Sequence, residues 1–448
     1  MRLRLALVVV LACGLVATAA GLATPQSPAA ARDPLAVMSD EVSKEVEGLR
    51  GWTFKKPVPM QMATLAQVRE HVARELDKSL PPDKARGVEA FLRTIGLIPR
   101  DADMKTLWLK VLESQVAGFY DPGTKAMRLV ERGTTPPFVQ RMLLSHELTH
   151  ALDDQYVDLN RFLHDGDRQT EDLELASASV TEGSATSLMV QYMMRAQVSG
   201  RLDLAELQQY AQQEAEQSKV FLEAPRYFSV MLGSYLCGTG FLGKGSMMAV
   251  MAAPDNKGIG QNFLAAVKDP PQSTEQILHP DKYWKPEQRD DPVTIDDQAA
   301  AKWLAQPGRW IVHRDTVGEM LTAILTSPPG KTFNLASLDA ASWTSPAAAG
   351  WGGDRFYLLA SSASADEARK TLKNVKGVWV TTWDTPGDRD EFVAAAATGS
   401  LAPGASVQAT GPAVAVVYFG FDESERDALT KRLQQAPLKM TKGDKPWQ

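Results

Sequence analysis

His146 and His150 stand four residues apart in the stretch LLSHELTHALDDQ, residues 143–155, and Glu147 directly follows the first of them. On a helix, residues i and i+4 share a face, with Cβ atoms about 5–6 Å apart. Two imidazoles so placed can turn their Nε2 atoms toward one ion about 2.0–2.1 Å from each. Glu147 lies too far round the helix to be a natural third ligand. It can instead reach a water at the ion and act as general base, because zinc lowers the pKa of such a water to about 7. The chain has six histidines. A random chain of this composition shows H-E-x-x-H in roughly one case in two hundred. The bland alternative is a solvated helix face that carries His, Glu and His by coincidence. Leu143, Leu144, Leu148, Ala151 and Leu152 surround the motif, which predicts a buried helix, and buried histidines need partners.

A hydrolytic zinc site uses three protein ligands and keeps one position open. The third is expected downstream, on another element. Glu171, Asp172, Glu174 and Glu182 are the carboxylates on the next helical stretch. Glu182 sits in ASASVTEGSATS, residues 176–187, where small residues on both sides would let two helices approach closely. The other three lie near the helix start, where carboxylates complement the helix dipole for ordinary reasons. Glu182 is therefore the preferred third ligand, and Glu174 the next choice. No histidine lies between His164 and His279, and His164 falls in a polar stretch read as a loop. The expectation is one Zn2+ per chain.

H-E-x-x-H followed by a glutamate in EGSA, 32 positions after His150, resembles the gluzincin branch of zinc metallopeptidases, the thermolysin-like clan. The resemblance implies His146, His150 and Glu182 as ligands, Glu147 as base, and a peptide or protein as substrate. It also implies a β-hairpin or small sheet before the catalytic helix, with an edge strand that binds extended substrate. PPQSTEQILHPDKY and GWGGDRF resemble segments of uncharacterised secreted metallopeptidases, and that likeness runs over about residues 50–390. One position departs from the pattern. Thermolysin-like enzymes often carry an aspartate four residues after the glutamate, where this chain has Thr186. Support for a ligand histidine would then fall to Asp153 or Asp154, whose ordinary reading is a solvated helix end. Gluzincins commonly take an oxyanion donor, His or Tyr, from well downstream. His279 is the first candidate here and Tyr283 the second; the alternative for His279 is a loop histidine against a proline turn. Glu275 reads as structural and Tyr120 as packing. His71 and His313 lack ligand spacing.

The elements that must position these groups can be read coarsely. Helices are predicted over about 65–80, 84–98, 104–115, 171–196 and 202–222. VAGFYDPGTKAMRLV, residues 116–130, reads as two strands around an Asp-Pro-Gly-Thr turn. Thr134-Thr135-Pro136-Pro137 starts the motif helix, with threonine as cap and proline in the first turn. Residues 229–253 contain five glycines and Lys244, which predicts a buried packing helix rather than a membrane span. PEQRDDPVTIDD, residues 286–297, reads as a linker, and its four aspartates lack calcium-loop spacing. Beyond it, RWIVHR, RFYLLAS, VWVTTWD and AVAVVYFGF read as strands interleaved with helices. GWGGDRFY is a tight turn entering a strand, and Trp351, Trp379 and Trp383 read as core. The fold class is α+β: a mainly helical zincin-like domain over 35–295, with a small hairpin before the active-site helix, and a C-terminal α+β domain over 309–436.

Arg2 and Arg4, the apolar run LALVVVLACGLV and the small residues after it form a secretory signal over residues 1–23, with cleavage favoured near Ala19 or Ala20. An Ala/Pro/Ser-rich spacer follows over 24–34. VLAC resembles a bacterial lipobox, although its leucine is atypical and the apolar run continues past Cys13. A lipid anchor through Cys13 therefore stands beside simple export. Either route places the protein in the periplasm or outside the cell. Processing leaves Cys237 alone, so no disulfide forms within the chain. The formal charge is −6 and no Lys/Arg block stands out, which argues against nucleic acid as partner.

These readings converge on an exported zinc metallopeptidase. A non-catalytic envelope protein whose zinc merely holds the fold is the first alternative. Its site would normally close with a fourth protein ligand, and Cys237 is isolated. A zinc hydrolase acting on a bond other than a peptide is the second.

Overall fold

The computed structural model describes residues 34–443, apart from 80–81, 116–117, 131–134, 165–169, 211, 213–223 and 329–339. The expected export signal with Cys13, the expected spacer up to residue 33, and about half of the helix expected over 202–222 lie outside the described residues.

Helix α1 (Pro34–Arg50) begins where the spacer was expected to end. Strand β1 (Met60–Ala63) follows, then α2 (Leu65–Ser79), α3 (Pro82–Ile95) and α4 (Met104–Gln115). Helix α3 stops at Gly96, whose φ of +100 suits glycine. A Cβ there would also lie 2.6 Å from the Ala402 amide nitrogen. The expected hairpin is present as β2 (Gly118–Asp121) and β3 (Ala126–Val130), paired antiparallel with Tyr120 opposite Met127. β1, which was not anticipated, pairs parallel to β3. The strand order is β1-β3-β2, which leaves β2 at an edge.

The motif helix is α5 (Pro137–Tyr156). Its N-cap is Pro136 with no side-chain cap bond, not a threonine. Pro137 at the first position needs no hydrogen-bond partner for its nitrogen, so the missing cap costs little. After the short α6 (Leu159–His164), α7 (Glu171–Val198) runs for 28 residues, capped by Thr170, whose side chain accepts from the Leu173 amide. His164 thus ends a helix rather than lying in a loop. Residues 142–154 of α5 and 179–188 of α7 are buried on every face. Helices apolar or small all round belong in the middle of a protein, and these two pack on each other there. The glycine-rich segment forms α8 (Ser229–Leu242), and α9 (Lys257–Lys268) and α10 (Thr274–Leu278) follow. No described helix is long and apolar enough to cross a membrane.

The stretch read as a linker is partly a strand. β4 (Val293–Ile295) pairs antiparallel with Met440–Lys442, so it is pinned from far along the chain. Asp296 caps the next helix through the Gln298 and Ala299 amides, and Asp297 receives Arg355 and the Tyr357 hydroxyl. Five antiparallel strands follow: β5 (Arg309–Asp315), β6 (Trp351–Ser361), β7 (Lys376–Trp383), β8 (Ser406–Gly411) and β9 (Val414–Phe419), in the order β5-β6-β7-β9-β8. Gly352 and Gly353 lie inside β6, where the register shifts between Trp351 and Gly353. Side chains alternate across this sheet. Phe356, Leu358, Trp379, Val417 and Phe419 join the main apolar core, while Tyr357, Leu359, Val378, Val380, Val416 and Tyr418 face a second one. Trp351, Trp379 and Trp383 are buried. The fold is mixed α+β.

The expected boundary between residues 295 and 309 is not a boundary of the core. Helix α3 packs on β5, β6 and β7. Helix α11 (Gly318–Thr326), from the C-terminal part, packs on α7 and α10. Buried carboxyls sit at this junction. Asp172 accepts from the amide (3.0 Å) and hydroxyl (2.5 Å) of Thr274. Asp354 accepts from the Val317 and Gly318 amides and the Trp351 indole. Burial outweighs these bonds and pushes Asp172 up to about 7 and Asp354 up to about 6. A carboxyl raised on folding stabilises fully below its unfolded pKa of about 3.9, and that stability is lost as pH rises through the folded value. Asp172→Asn is therefore expected to melt with the wild type near pH 3.5, to pull ahead of it as pH rises from about 4 to about 7, and to melt about 2 °C or more above it near pH 8.5. Parallel melting curves across that range would refute the assignment.

Candidate metal centre

Helix α5 presents His146 and His150 on one face, and α7 brings Glu182 against them. The Nε2 atoms are 3.1 Å apart, and each lies 3.3 Å from Glu182 Oε2. Ligands about 2.0–2.1 Å from a tetrahedral ion stand about 3.3–3.4 Å apart. The triangle therefore has the spacing of three corners of a tetrahedral N2O site. His146 is 1% exposed, His150 3% and Glu182 7%. Three lone-pair-bearing atoms converging at such depth repel one another unless a proton or a cation lies between them. With protons alone, burial would raise Glu182, but the charge of His150 and hydrogen bonds from both imidazoles hold it down at about 2. Burial would lower His150, and Glu182 outweighs it and pushes His150 up to about 9. Burial wins at His146, which is lowered. A cation entering the triangle would therefore meet one neutral imidazole and would have to displace a proton from the other.

Glu147 is 1% exposed and outside the triangle. Its Oε2 accepts from the Tyr120 amide of β2 at 2.6 Å, and its Oε1 is buried with no partner among the described residues. Burial, added to by Glu182 and opposed by His150 and that amide, pushes Glu147 up to about 8. The edge strand thus faces the motif helix through an outward-pointing amide. Tyr120 is packed, as expected, and its hydroxyl also donates to Asp154 at 2.7 Å. Asp154 further accepts from Lys125 (2.7 Å) and the Leu159 amide (2.9 Å). It ties the hairpin to the end of α5 and is neither a solvated end nor a partner of a ligand imidazole. Asp153 hydrogen-bonds no ligand imidazole either; its buried charge raises His150 from a distance. Thr186 does not replace the missing aspartate, since its hydroxyl is buried without a partner among the described residues, as is His146 Nδ1.

The third wall of the site is α8, whose place beside the ligands the sequence reading did not identify. Gly183, next to Glu182, meets Gly238 backbone to backbone. A Cβ on Gly183 would stand 2.1 Å from the Gly238 carbonyl carbon, and one on Gly238 would stand 1.8 Å from Ser179 O. The small residues flanking Glu182 therefore admit a close helix, as expected, and that helix is the glycine-rich one. One turn before the crossing, Tyr235 stacks on His146, with ring centroids 5.9 Å apart at 24°. The signal was present in the five glycines of 229–253, but nothing in one sequence names their partner.

The two expected oxyanion donors are not at the triangle. His279 Nε2 lies 2.9 Å from Glu319 Oε1 on α11, and the Tyr283 hydroxyl donates to Asp269 O at 2.5 Å. Both follow α10, which packs at the start of α7 beside Asp172 rather than beside Glu182. Among the other carboxylates weighed as ligands, Glu171 accepts from the Tyr227 hydroxyl at 2.6 Å and Asp172 is held by Thr274. Glu275, Asp290 and Asp384 also gather, but Lys282 stands among them at 2.5, 3.4 and 2.7 Å. Its ammonium already supplies the cation, and Glu275 is structural. His71 lies 3.4 Å from Asp121 and His313 3.0 Å from Asp315, and neither joins the three donor atoms of the triangle.

The sequence model of one protein family, described as Domain of unknown function (DUF8575), matches residues 308–426, the stretch that holds the five-stranded sheet. No curated protein and no solved structure matches the chain.

Proposed function

We propose that the chain is an exported zinc-dependent metallopeptidase of gluzincin type, with His146, His150 and Glu182 as ligands and Glu147 as general base. The observation that carries the reading is the triangle of three donor atoms at 3.1, 3.3 and 3.3 Å beside a carboxylate with a free buried oxygen. Bound there, zinc supplies Lewis-acid polarisation of a carbonyl and makes an attacking water more acidic. Glu147 Oε1 takes the proton from that water and hands it to the leaving amine. The Tyr120 amide holds the other oxygen and so fixes the carboxylate plane. Tyr235 packs His146 and limits its rotation. A closed structural site would need a fourth protein ligand, and among the described residues no further His, Cys, Asp or Glu joins the three. That disfavours the purely structural alternative.

The test is metal analysis of the purified protein together with cleavage of a generic unfolded protein substrate. The wild type is expected to hold one zinc per chain and to cleave. Glu182→Ala is expected to lose zinc and activity together. A wild type that binds no zinc, or a Glu182→Ala variant that keeps full stoichiometry, would overturn the ligand set. Zinc binding without proteolysis would favour hydrolysis of another bond.

A further inference from the structure

Two ligand helices must keep their side chains within about 0.5 Å of a productive geometry, and a buried arginine connects their backs. Arg50, the last residue of α1, has no exposed surface. Its Nη2 donates to Asp153 Oδ1 at 2.5 Å and to Ser184 Oγ at 2.6 Å, and its Nη1 donates to Asn256 Oδ1 at 2.5 Å. Ser184 Oγ donates onward to Asp153 Oδ2 at 2.6 Å. Asn256 Nδ2 donates to Ser187 Oγ at 3.1 Å, and the Asn256 amide donates to Leu49 O at 2.8 Å. The guanidinium also lies over the Trp52 ring at 4.6 Å and near Phe263 at 5.4 Å. Asp153 is on α5, one turn beyond His150, and Ser184 is on α7, two residues beyond Glu182. The network therefore joins the turn that carries one ligand to the turn that carries another.

We infer that Arg50, at the end of α1, is a positioning residue for the metal ligands. The inference rests on the zinc reading given above. The planar guanidinium reaches three acceptors on three elements at once. A lysine is a point charge on a flexible stem and cannot hold all three in one plane. Groups that hydrogen-bond a ligand directly are commonly worth about 10–100-fold in metal affinity, and Arg50 acts one bond further out, through the helices that carry the ligands, so the low end of that range applies.

The experiment measures zinc dissociation constants by competition with a chromophoric chelator, on the full mature chain. The set is wild type, Arg50→Lys, the double variant Arg50→Met/Asp153→Leu, and Glu182→Ala. Arg50→Lys keeps a charge opposite Asp153, and the double variant removes both charges, so neither leaves a buried carboxylate unpaired. Circular dichroism and melting of the metal-free proteins monitor folding. Both Arg50 variants are expected to fold and to bind zinc about 10-fold more weakly than the wild type. Wild-type affinity in either folded variant would overturn the inference while leaving the zinc centre standing. A wild type that binds no zinc, or Glu182→Ala binding as tightly as wild type, would overturn the zinc reading itself.

Discussion

Glu147→Gln is expected to keep one zinc per chain and to lose peptide hydrolysis by about 10²–10⁴-fold, the usual contribution of a positioned general base. Glutamine has the shape of glutamate. Its carbonyl oxygen can still accept from the Tyr120 amide, which now bonds Oε2 at 2.6 Å. The ligand triangle does not include residue 147, so metal content should not change. What is lost is the basic oxygen, Oε1, which is buried and unpartnered among the described residues. In the metal-free protein, burial holds Glu147 up at about 8. A dication at the triangle would pull it back toward ionisation, so the base would work near neutral pH. The same substitution carries a second, independent expectation. A carboxyl raised on folding loses stability as pH rises from its unfolded pKa of about 4.3 to its folded pKa, and loses no more beyond it. The metal-free Glu147→Gln protein should therefore melt above metal-free wild type near pH 8 and with it only below about pH 4. Full activity in the variant would place the base elsewhere. A variant that also lost its zinc would show that Glu147 shapes the triangle.

The parts of this site that were legible in the sequence are those within one turn of helix or one hairpin. His146 and His150 share a face because of their spacing, and the leucines around them announced burial. The hairpin was legible because Asp121-Pro122-Gly123-Thr124 dictates a turn locally. What was hidden depends on partners far along the chain. Arg50 meets Asp153, Ser184 and Asn256 at separations of 103, 134 and 206 residues, and no local pattern marks an arginine for burial. β4 is three residues long and exists because 440–442 pairs with it. β1 likewise exists through β3. Placing His279 at the oxyanion position relied on its lying downstream in the chain, and chain order does not set distance. The tyrosine that does reach a ligand is Tyr235, in a segment whose glycines suggested packing only.

Those glycines make the sharpest remaining prediction about α8. Two helical glycines two residues apart should respond to alanine in opposite directions. Gly238→Ala places a methyl 1.8 Å from Ser179 O, 2.6 Å from its carbonyl carbon and 3.1 Å from Gly183 Cα. All three are backbone atoms, so no rotamer change relieves the clash, and α7 and α8 must separate by on the order of 1 Å. Glu182 follows Thr181 directly into that crossing, and a ligand is displaced by more than a metal site tolerates. The variant should lose about 3 kcal/mol or more of stability, with zinc affinity falling alongside it. Gly240→Ala meets nothing within 4 Å. In the last turn of α8 it should stabilise by up to about 0.5 kcal/mol through propensity alone, with zinc binding unchanged. Thermal melts and zinc titrations of the two variants side by side decide the matter. If Gly238→Ala melted and bound zinc like Gly240→Ala, α7 and α8 would not cross at these residues, and the close approach that lets Tyr235 reach His146 would have no physical basis.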